Sequence, residues 1–148
     1  MKNKFLVAAM ATLSAVSCSK DPDTLPVTVP TVTKTVNFTI HQAKDYTEVQ
    51  YDGVQAELKI AVAKFIKADG QTIVLWDSAV AFQSLRDYPA THLPVAVVKT
   101  FSGIKGQTET VQASYSIRYK NARNEVNAVG KNEFAGFGAS VLTLPVRL

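Results

Sequence analysis

The chain has 148 residues, of which 47% are hydrophobic and 19% charged, so it can bury one ordinary core but not two. Its formal charge of +4 falls to +2 without residues 1–17, which hold two lysines and no acidic residue. The remaining basic residues are scattered, whereas nucleic-acid binding usually requires a dense basic face. We therefore expect a single domain with a solvated charged surface and no nucleic-acid partner.

The first seventeen residues have the pattern of a secretory signal peptide. Residues 1–4 (MKNK) are cationic, and residues 5–17 (FLVAAMATLSAVS) are uncharged, mostly apolar, and end in small side chains. A basic start, a short apolar run and small residues at the cut are typical of an export signal. A bilayer-spanning helix would need about 20 apolar residues. The sequence therefore predicts residues 1–17 as a cleaved signal peptide.

The chain's only cysteine, Cys18, directly follows the segment Ala15, Val16 and Ser17. This segment resembles the lipobox of bacterial lipoproteins, with an alanine at the position where leucine is usual. The resemblance implies that Cys18 is lipidated, with palmitate among its acyl chains, and becomes the first residue of the mature protein. Two or three acyl chains hold a protein permanently, because each buried methylene contributes about 0.8 kcal/mol. Lipidation also removes a single thiol that export would leave exposed to oxidation.

The residues after Cys18 carry a second resemblance, which concerns location. The tripeptide Ser19, Lys20 and Asp21 is similar to the short export tag of Bacteroidetes surface lipoproteins, and Cys18 is not followed directly by aspartate. In some enterobacterial lipoproteins that aspartate signals retention in the inner membrane. The resemblance therefore implies a lipid-anchored outer-membrane protein exposed at the cell surface, with a periplasm-facing orientation as the alternative.

Residues 18–31 form the predicted connection between the lipid and the domain. Pro22, Pro26 and Pro30 recur at four-residue spacing, and each disfavours helix in the residue before it. A polyproline-like tether at about 3.1 Å per residue would hold the domain roughly 30 to 40 Å from the membrane. An edge strand in this segment is the alternative, since edges tolerate proline.

From residue 32 onward the chain shows the period-two alternation of half-buried strands. Residues 35–41, 54–62 and 108–120 alternate most clearly, and residues 93–103 resemble a buried strand. The last strand has Pro145 on its polar side, which predicts a sheet edge or a bulge. The predicted inward-facing residues are Val36, Phe38, Ile40, Val54, Ala56, Leu58, Ile60, Val62, Val111, Ala113, Tyr115, Ile117, Tyr119, Leu142, Leu144, Val146 and Leu148.

Two further segments carry local predictions. The dipeptide Asp69-Gly70 lies between two β-rich runs and predicts a two-residue hairpin turn. That turn would pair Ile66 with Ile73 and Phe65 with Val74, and would leave Phe65 and Trp76 on the face opposite Leu58, Ile60 and Val62. Residues 78–89 break the alternation and predict a short helix or irregular crossover that ends at Pro89.

Six to eight strands without helical repeats predict an all-β fold, a single antiparallel β-sandwich of immunoglobulin-like type over residues 32–148. The alternative is a small lipocalin-like barrel that encloses a ligand.

The sequence offers few candidates for chemistry. His41 and His92 are far apart, the usual zinc spacings are absent, and no nucleophile-base motif, phosphate loop or cofactor motif is found. The glycine-rich stretch 134–140 predicts a loop or bulge rather than a nucleotide site, because no βαβ unit surrounds it. We therefore predict no enzyme activity, no metal and no cofactor.

The candidate ligand-binding residues are aromatic. Trp76, Tyr46, Tyr51 and Tyr88 could stack on a sugar, although a β-sandwich tryptophan is more often part of the core. The three tyrosines lie next to aspartates in predicted loops, where ligand contacts concentrate. The expected function is a non-enzymatic surface lipoprotein that binds or presents a partner protein or a glycan. A small-ligand carrier with a lipocalin-like barrel is the alternative, and an envelope hydrolase is a lesser one.

Overall fold

A computed structural model describes residues 28–135 and 138–148 of the chain. The predicted signal peptide, Cys18 and most of the predicted tether lie outside the described residues. The described part contains seven strands: β1 (Thr31–His41), β2 (Gln55–Ile66), β3 (Thr72–Ser84), β4 (Val95–Lys105), β5 (Glu109–Lys120), β6 (Val126–Phe134) and β7 (Val141–Arg147). Two single-turn 3₁₀ helices, Val49–Tyr51 and Leu85–Asp87, complete it.

The strands form two sheets, a three-stranded one in the order β4-β1-β7 and a four-stranded one in the order β3-β2-β5-β6. Within the described residues each sheet keeps two edge strands, so neither closes into a barrel. The predicted all-β sandwich is confirmed. The division of seven strands into four and three is that of the constant-type immunoglobulin sandwich, while the strand order differs. All pairings are antiparallel except β1 with β7, which is parallel.

The core lies between the central strands, and the alternation predicted it well. Strands β2 and β5 pair over an unbroken register from Gln55 opposite Lys120 to Ile66 opposite Glu109. The alternation did not show how completely the outer strands remain exposed. Predicted inward residues that are buried are Val36, Phe38, Ile40, Ala56, Leu58, Ile60, Val62, Val111, Ala113, Ile117, Leu144, Val146 and Leu148, while Val54, Tyr115, Tyr119 and Leu142 are partly buried against them.

The hairpin between β2 and β3 forms where Asp69-Gly70 predicted it, but the predicted register is wrong. Lys64 lies opposite Ile73, and Phe65 lies opposite Thr72. The turn is longer than two residues because Gly70 adopts a left-handed φ of 70° and donates its N–H to the carbonyl of Ile66. A β-bulge in β3, between its pairings with Ala63 and Val62, then reverses which face of the sheet the following side chains of β3 occupy.

Two other local predictions need correction. Residues 78–84 continue β3 as a strand, and only Leu85–Asp87 form a 3₁₀ helix, where a helix or crossover was expected from residue 78. The strand predicted over 93–103 exists as β4, but as an exposed edge strand rather than a buried one. A run of valines does not distinguish a strand buried on both faces from an edge strand that exposes them.

Strand β6 was not predicted, and its exposure explains why. Its inward-facing Val129 lies opposite the fully buried Ile117, yet Val129 remains 52% exposed. No residue of β6 is buried, so no core selects apolar residues in this strand. Strand β7, by contrast, is the edge strand that Pro145 predicted.

The strand directions give the sandwich two distinct ends. The tether pole holds the start of β1 and the short turns 67–71 and 106–108, since Thr31 pairs with Lys105. The pocket pole holds the end of β1 and two long connections, residues 42–54 and 85–94. Because β1 is a strand of 11 residues, the two poles lie about 35 Å apart.

Candidate functional site

The pocket pole carries a half-open pocket of about 470 Å³ between its two long connections. This volume lies in the range of small-ligand sites, about 300 to 1,000 Å³. Both tyrosines that the sequence placed in loops beside the aspartates at 45 and 87 line it. Its lining residues are Gln42, Asp45, Tyr46, Thr47, Arg86, Tyr88, Ala90, Thr91 and His92.

Gln42 fixes the base of the pocket. Its side chain is buried, and its Nε2 donates to the carbonyls of Leu85 and Tyr88, each at 2.9 Å. Its backbone N–H donates to Pro89, and its carbonyl accepts from the Thr91 hydroxyl at 2.9 Å. One residue at the end of β1 therefore holds both ends of the connection 85–94, which would otherwise carry unpaired buried carbonyls.

Arg86 fixes the other connection. Its Nε donates to the Tyr46 carbonyl at 2.9 Å, and one terminal nitrogen donates to the Thr47 and Glu48 carbonyls at 2.9 and 3.2 Å. The same nitrogen lies 2.5 Å from the Asp52 carboxylate. The rigid guanidinium thus reaches four successive partners along residues 46–52, a geometry that lysine cannot reproduce.

Tyr46 and Tyr88 are buried at the pocket wall, with 7% and 5% of their surface exposed, and their hydroxyls are directed into the fold. The Tyr46 hydroxyl donates to the carbonyl of Leu148 at 2.7 Å, and the Tyr88 hydroxyl donates to the carbonyl of Ala56 at 3.0 Å. Burial raises the pKa of Tyr88 to about 12 and raises the pKa of Tyr46 as well. Both hydroxyls therefore serve the fold and stay protonated at neutral pH.

Tyr51 lies behind Tyr46 rather than in the pocket lining. The two rings meet edge to face with centroids 4.9 Å apart, and Lys44 Nζ stands 4.5 Å from the Tyr51 ring centroid. A side-chain hydrogen bond with Tyr51 raises the pKa of Lys44. Tyr51 therefore supports the pocket wall through Tyr46.

Trp76 belongs to a different region from the tyrosines. It lies opposite Val62, its ring centroid is 6.2 Å from that of Phe38, and Lys99 Nζ covers it at 4.7 Å. The expectation that Trp76 faces away from Val62 is wrong, because the bulge in β3 turns it inward. The structure does not bring the four aromatic candidates into one platform.

Three exposed side chains at the pocket keep free hydrogen-bonding capacity. Asp45 uses only Oδ1, which accepts from the Thr47 N–H at 2.9 Å. Among the described residues, the His92 ring and the Thr47 hydroxyl have no hydrogen-bond partner. Sequence reasoning missed Gln42, Arg86 and His92 as parts of a site. Gln42 and Arg86 hydrogen-bond to backbone carbonyls that are distant in the sequence, and such contacts produce no local sequence pattern.

Within residues 28–135 and 138–148, no group of three or more His, Cys, Asp or Glu side chains is placed to hold a metal ion. No helix in the same part of the chain has the length and apolarity needed to cross a membrane. Comparisons of the chain with protein-family models, with curated proteins and with solved structures gave no match.

Proposed function

We propose that this protein is a lipid-anchored, non-enzymatic binding domain of the bacterial outer membrane, exposed at the cell surface. The anchor is Cys18, the export signal is residues 1–17, and the ligand is a glycan or a partner protein. The basic start, apolar run and lipobox-like segment before Cys18 support the anchor.

The position of the pocket relative to the anchor carries this proposal. Strand β1 begins at Thr31, thirteen residues after Cys18, and ends at His41 beside the pocket. The chain therefore enters the domain at one pole and presents its concave site about 35 Å away at the other. A domain tethered at Thr31 would hold the pocket on its membrane-distal side.

The use of the polar groups at the pocket supports binding rather than catalysis. The Gln42 amide and the hydroxyls of Tyr46 and Tyr88 hydrogen-bond to backbone carbonyls, and Arg86 is paired with Asp52. Covalent catalysis would require a nucleophile within hydrogen-bond distance of a base, and among the described residues no side-chain hydrogen bond joins Asp45, Thr47 and His92 to one another. The carrier alternative assumed a lipocalin-like barrel, and the two sheets of the described residues do not close into one, which favours the binding-domain proposal.

A partner protein is favoured as a second class of ligand by the exposed outer strands. Apolar side chains stand in solvent on all four edge strands, among them Val74 at 63% and Val141 at 57% exposure. Exposed strand edges with apolar side chains are typical places for another chain to pair.

Metabolic labelling with an alkyne fatty acid tests the anchor. The wild-type chain should carry the label and fractionate with outer membranes, whereas Cys18→Ser should lose both. Ser17→Ala is the matched control, because it keeps a small residue before the cysteine. An unlabelled wild type, or labelling that survives Cys18→Ser, would refute the lipoprotein.

Protease shaving of intact cells tests which side the domain faces. The domain should be cleaved without permeabilisation, while a periplasm-facing domain would survive until the outer membrane is opened.

A further inference from the structure

We infer that strand β6 pairs in antiparallel orientation with the same strand of a second copy of this protein, which is anchored on an apposed membrane. The inference rests on the proposed surface exposure and names a partner for one of the exposed strand edges. Four features of β6 carry it: its free backbone groups, the regularity of its edge, the exposure of both its faces, and the fit of the strand to its own copy.

The backbone of β6 has a row of hydrogen-bonding groups along its outer edge. The strand pairs with β5 alone among the described strands, and the register is unbroken. In the same register, the Ala135 N–H donates to the Val111 carbonyl at 2.9 Å. Because residues of an antiparallel pair bond alternately toward and away from each other, the odd-numbered residues of β6 bond to β5. The N–H and C=O groups that face the free edge therefore belong to Val126, Ala128, Gly130, Asn132 and Phe134.

Of the four edge strands, only β6 contains neither a register shift nor a proline. The register of β3 shifts twice and that of β4 once, which leaves residues of both strands unpaired. Strand β7 contains Pro145, which has no N–H to donate. Bulges and prolines are the features with which natural proteins keep strand edges from pairing. A second chain therefore finds its most regular pairing edge at β6.

Neither face of β6 is packed into the core. Val126, Val129 and Phe134 all remain about half exposed, although strands usually bury such side chains. The Phe134 ring meets the Phe65 ring edge to face, with centroids 5.6 Å apart. A strand added at the free edge would pair with β6 side chains on both faces and cover part of their apolar surface.

The strand fits its own antiparallel copy about Gly130, which is the midpoint of Val126–Phe134. Rotation about this point places Phe134 opposite Val126 and Asn132 opposite Ala128 of the other copy. All the edge-facing groups then meet each other, which gives about ten backbone hydrogen bonds. An aromatic side chain opposite a β-branched one is also a favourable cross-strand pair. The whole strand is therefore used, and no residue extends beyond it.

The charges of β6 are compatible with this pairing. Lys131 and Glu133 are the only charged residues of the strand, and their side chains lie 3.1 Å apart. In the pairing about Gly130, Lys131 lies opposite Val129 and Glu133 lies opposite Asn127 of the other copy. No like charges therefore face each other directly, and the edge that each copy presents is neutral.

Antiparallel pairing sets the orientation of the two copies. The tether pole of one copy lies beside the pocket pole of the other, because their strands run in opposite directions. A tether of roughly 30 to 40 Å cannot also reach back past a domain of about 35 Å, so the two copies cannot share one membrane. The pair would instead join two membranes roughly 100 Å apart. The proposed pairing therefore holds two cell surfaces together.

Disulfide cross-linking tests the pairing without the lipid. The full chain carries Cys18→Ser, which removes its only native thiol, together with Ala128→Cys and Asn132→Cys. In the proposed register, residue 128 lies opposite residue 132 of the other copy with about 5.5 Å between Cα atoms, which suits a disulfide. Mild oxidation should therefore give covalent dimers. Asn132→Cys alone should give at least about tenfold less, because the two copies of residue 132 would lie about 14 Å apart.

A proline variant tests the backbone hydrogen bonds. The chain with Cys18→Ser alone should dimerise between about 10 µM and 1 mM in analytical ultracentrifugation, as a small interface does. Asn132→Pro removes an N–H that faces the free edge and should raise the dimer Kd at least about tenfold. Asn132→Ala keeps that N–H and is the matched control. If Asn132→Pro does not fold, the cross-linking result decides.

Vesicle clustering tests the orientation of the two copies. Vesicles of phosphatidylethanolamine and phosphatidylglycerol that carry the lipidated wild-type chain should cluster, measured as turbidity. Clustering should be lost with lipidated Asn132→Pro and retained with lipidated Asn132→Ala, because only the proline removes the edge-facing N–H.

Several results would overturn the inference. These are a chain that neither dimerises nor cross-links, cross-linking of Asn132→Cys alone as efficient as that of the double variant, or unchanged dimerisation of a folded Asn132→Pro. Vesicles that bind the lipidated chain but do not cluster would also overturn it, as would pairing of β6 with a different protein only. Absence of acyl labelling at Cys18 with efficient cross-linking would instead refute the lipoprotein proposal, so the two failures are distinguishable.

Discussion

The two poles of the sandwich connect the same strands in different ways. At the tether pole the strands reverse through short turns, such as residues 67–71, which are joined by backbone hydrogen bonds, both within the turn and from the Lys67 N–H to the Thr108 carbonyl of the neighbouring turn. At the pocket pole the chain runs through the long connections 42–54 and 85–94. These are held by side chains that reach about forty residues along the sequence, as Gln42 does to Leu85.

This difference supports the proposal that the pocket pole is the binding end of the domain. A short turn loses little conformational entropy and needs only a suitable glycine, such as Gly70. Ordering about twenty residues of loop costs about 1 to 2 kcal/mol for each residue and needs compensating contacts. Strand connection alone does not require such loops, so the buried Gln42 and the extended hydrogen bonding of Arg86 point to a pocket that must keep its shape.

The largest difference in the free energy of unfolding is expected between two glutamine substitutions, one at each pole. Gln42→Ala should lower the free energy of unfolding by about 2 to 3 kcal/mol, because it leaves the carbonyls of Leu85 and Tyr88 without their donor. Gln71→Ala, on an exposed side chain at the tether pole, should change it by less than about 0.5 kcal/mol. Urea unfolding of both variants measures the contrast. Equal losses of unfolding free energy in the two variants would mean that the Gln42 side chain does not stabilise the long connections of the pocket pole.

A smaller effect is expected at Arg86. Arg86→Lys should cost about 1 to 2 kcal/mol, since one ammonium cannot reach the Tyr46 and Thr47 carbonyls and Asp52 together. Hydrogen exchange should accelerate in residues 46–52 and stay unchanged at 67–71. Arg123→Lys, an exposed arginine in the turn after β5, is the control with no expected effect. Protection that is retained near Tyr46 in Arg86→Lys would contradict the bracing role.

The smallest predicted effect concerns pH at the tether pole. Glu109 accepts from the Lys105 N–H at 2.9 Å and pairs with Lys64 at 3.1 Å, and the Lys105 hydrogen bond foremost lowers its pKa. A carboxyl with a lowered folded pKa stabilises the protein above its unfolded pKa of about 4.3 and loses that contribution as pH falls through the folded pKa. Glu109→Gln should cost about 1 kcal/mol at pH 7 and flatten the acid limb of the stability profile. An unchanged acid limb would refute this account of Glu109.

The sequence predicted those strands in which side chains alternate regularly between a buried and an exposed face. Phe38 and Ile117 face the core as expected because a strand covered on one face must alternate. Strand β6 escaped prediction because nothing covers Val129, and the inward turn of Trp76 escaped it because a bulge resets the alternation.

The candidate site was predictable only in part. The aspartates beside Tyr46 and Tyr88 marked the two connections that meet at the pocket. The contributions of Gln42 and Arg86 depend on backbone carbonyls brought close by folding, and no spacing in the sequence encodes them. Tyr51 was placed correctly in the same neighbourhood, although it contacts Tyr46 and is not part of the lining.

The most direct test of the account is the orientation of the two poles relative to the membrane. Spin or fluorescent labels are attached through Val49→Cys at the pocket pole and Asp69→Cys at the tether pole, both exposed positions, in the lipidated chain on vesicles. Quenching by energy transfer to acceptor-labelled lipids, which acts over distances comparable to the predicted tether, should be clearly stronger at 69 than at 49. Equal quenching, or stronger quenching at 49, would contradict a domain anchored through Cys18 that presents its pocket away from the membrane.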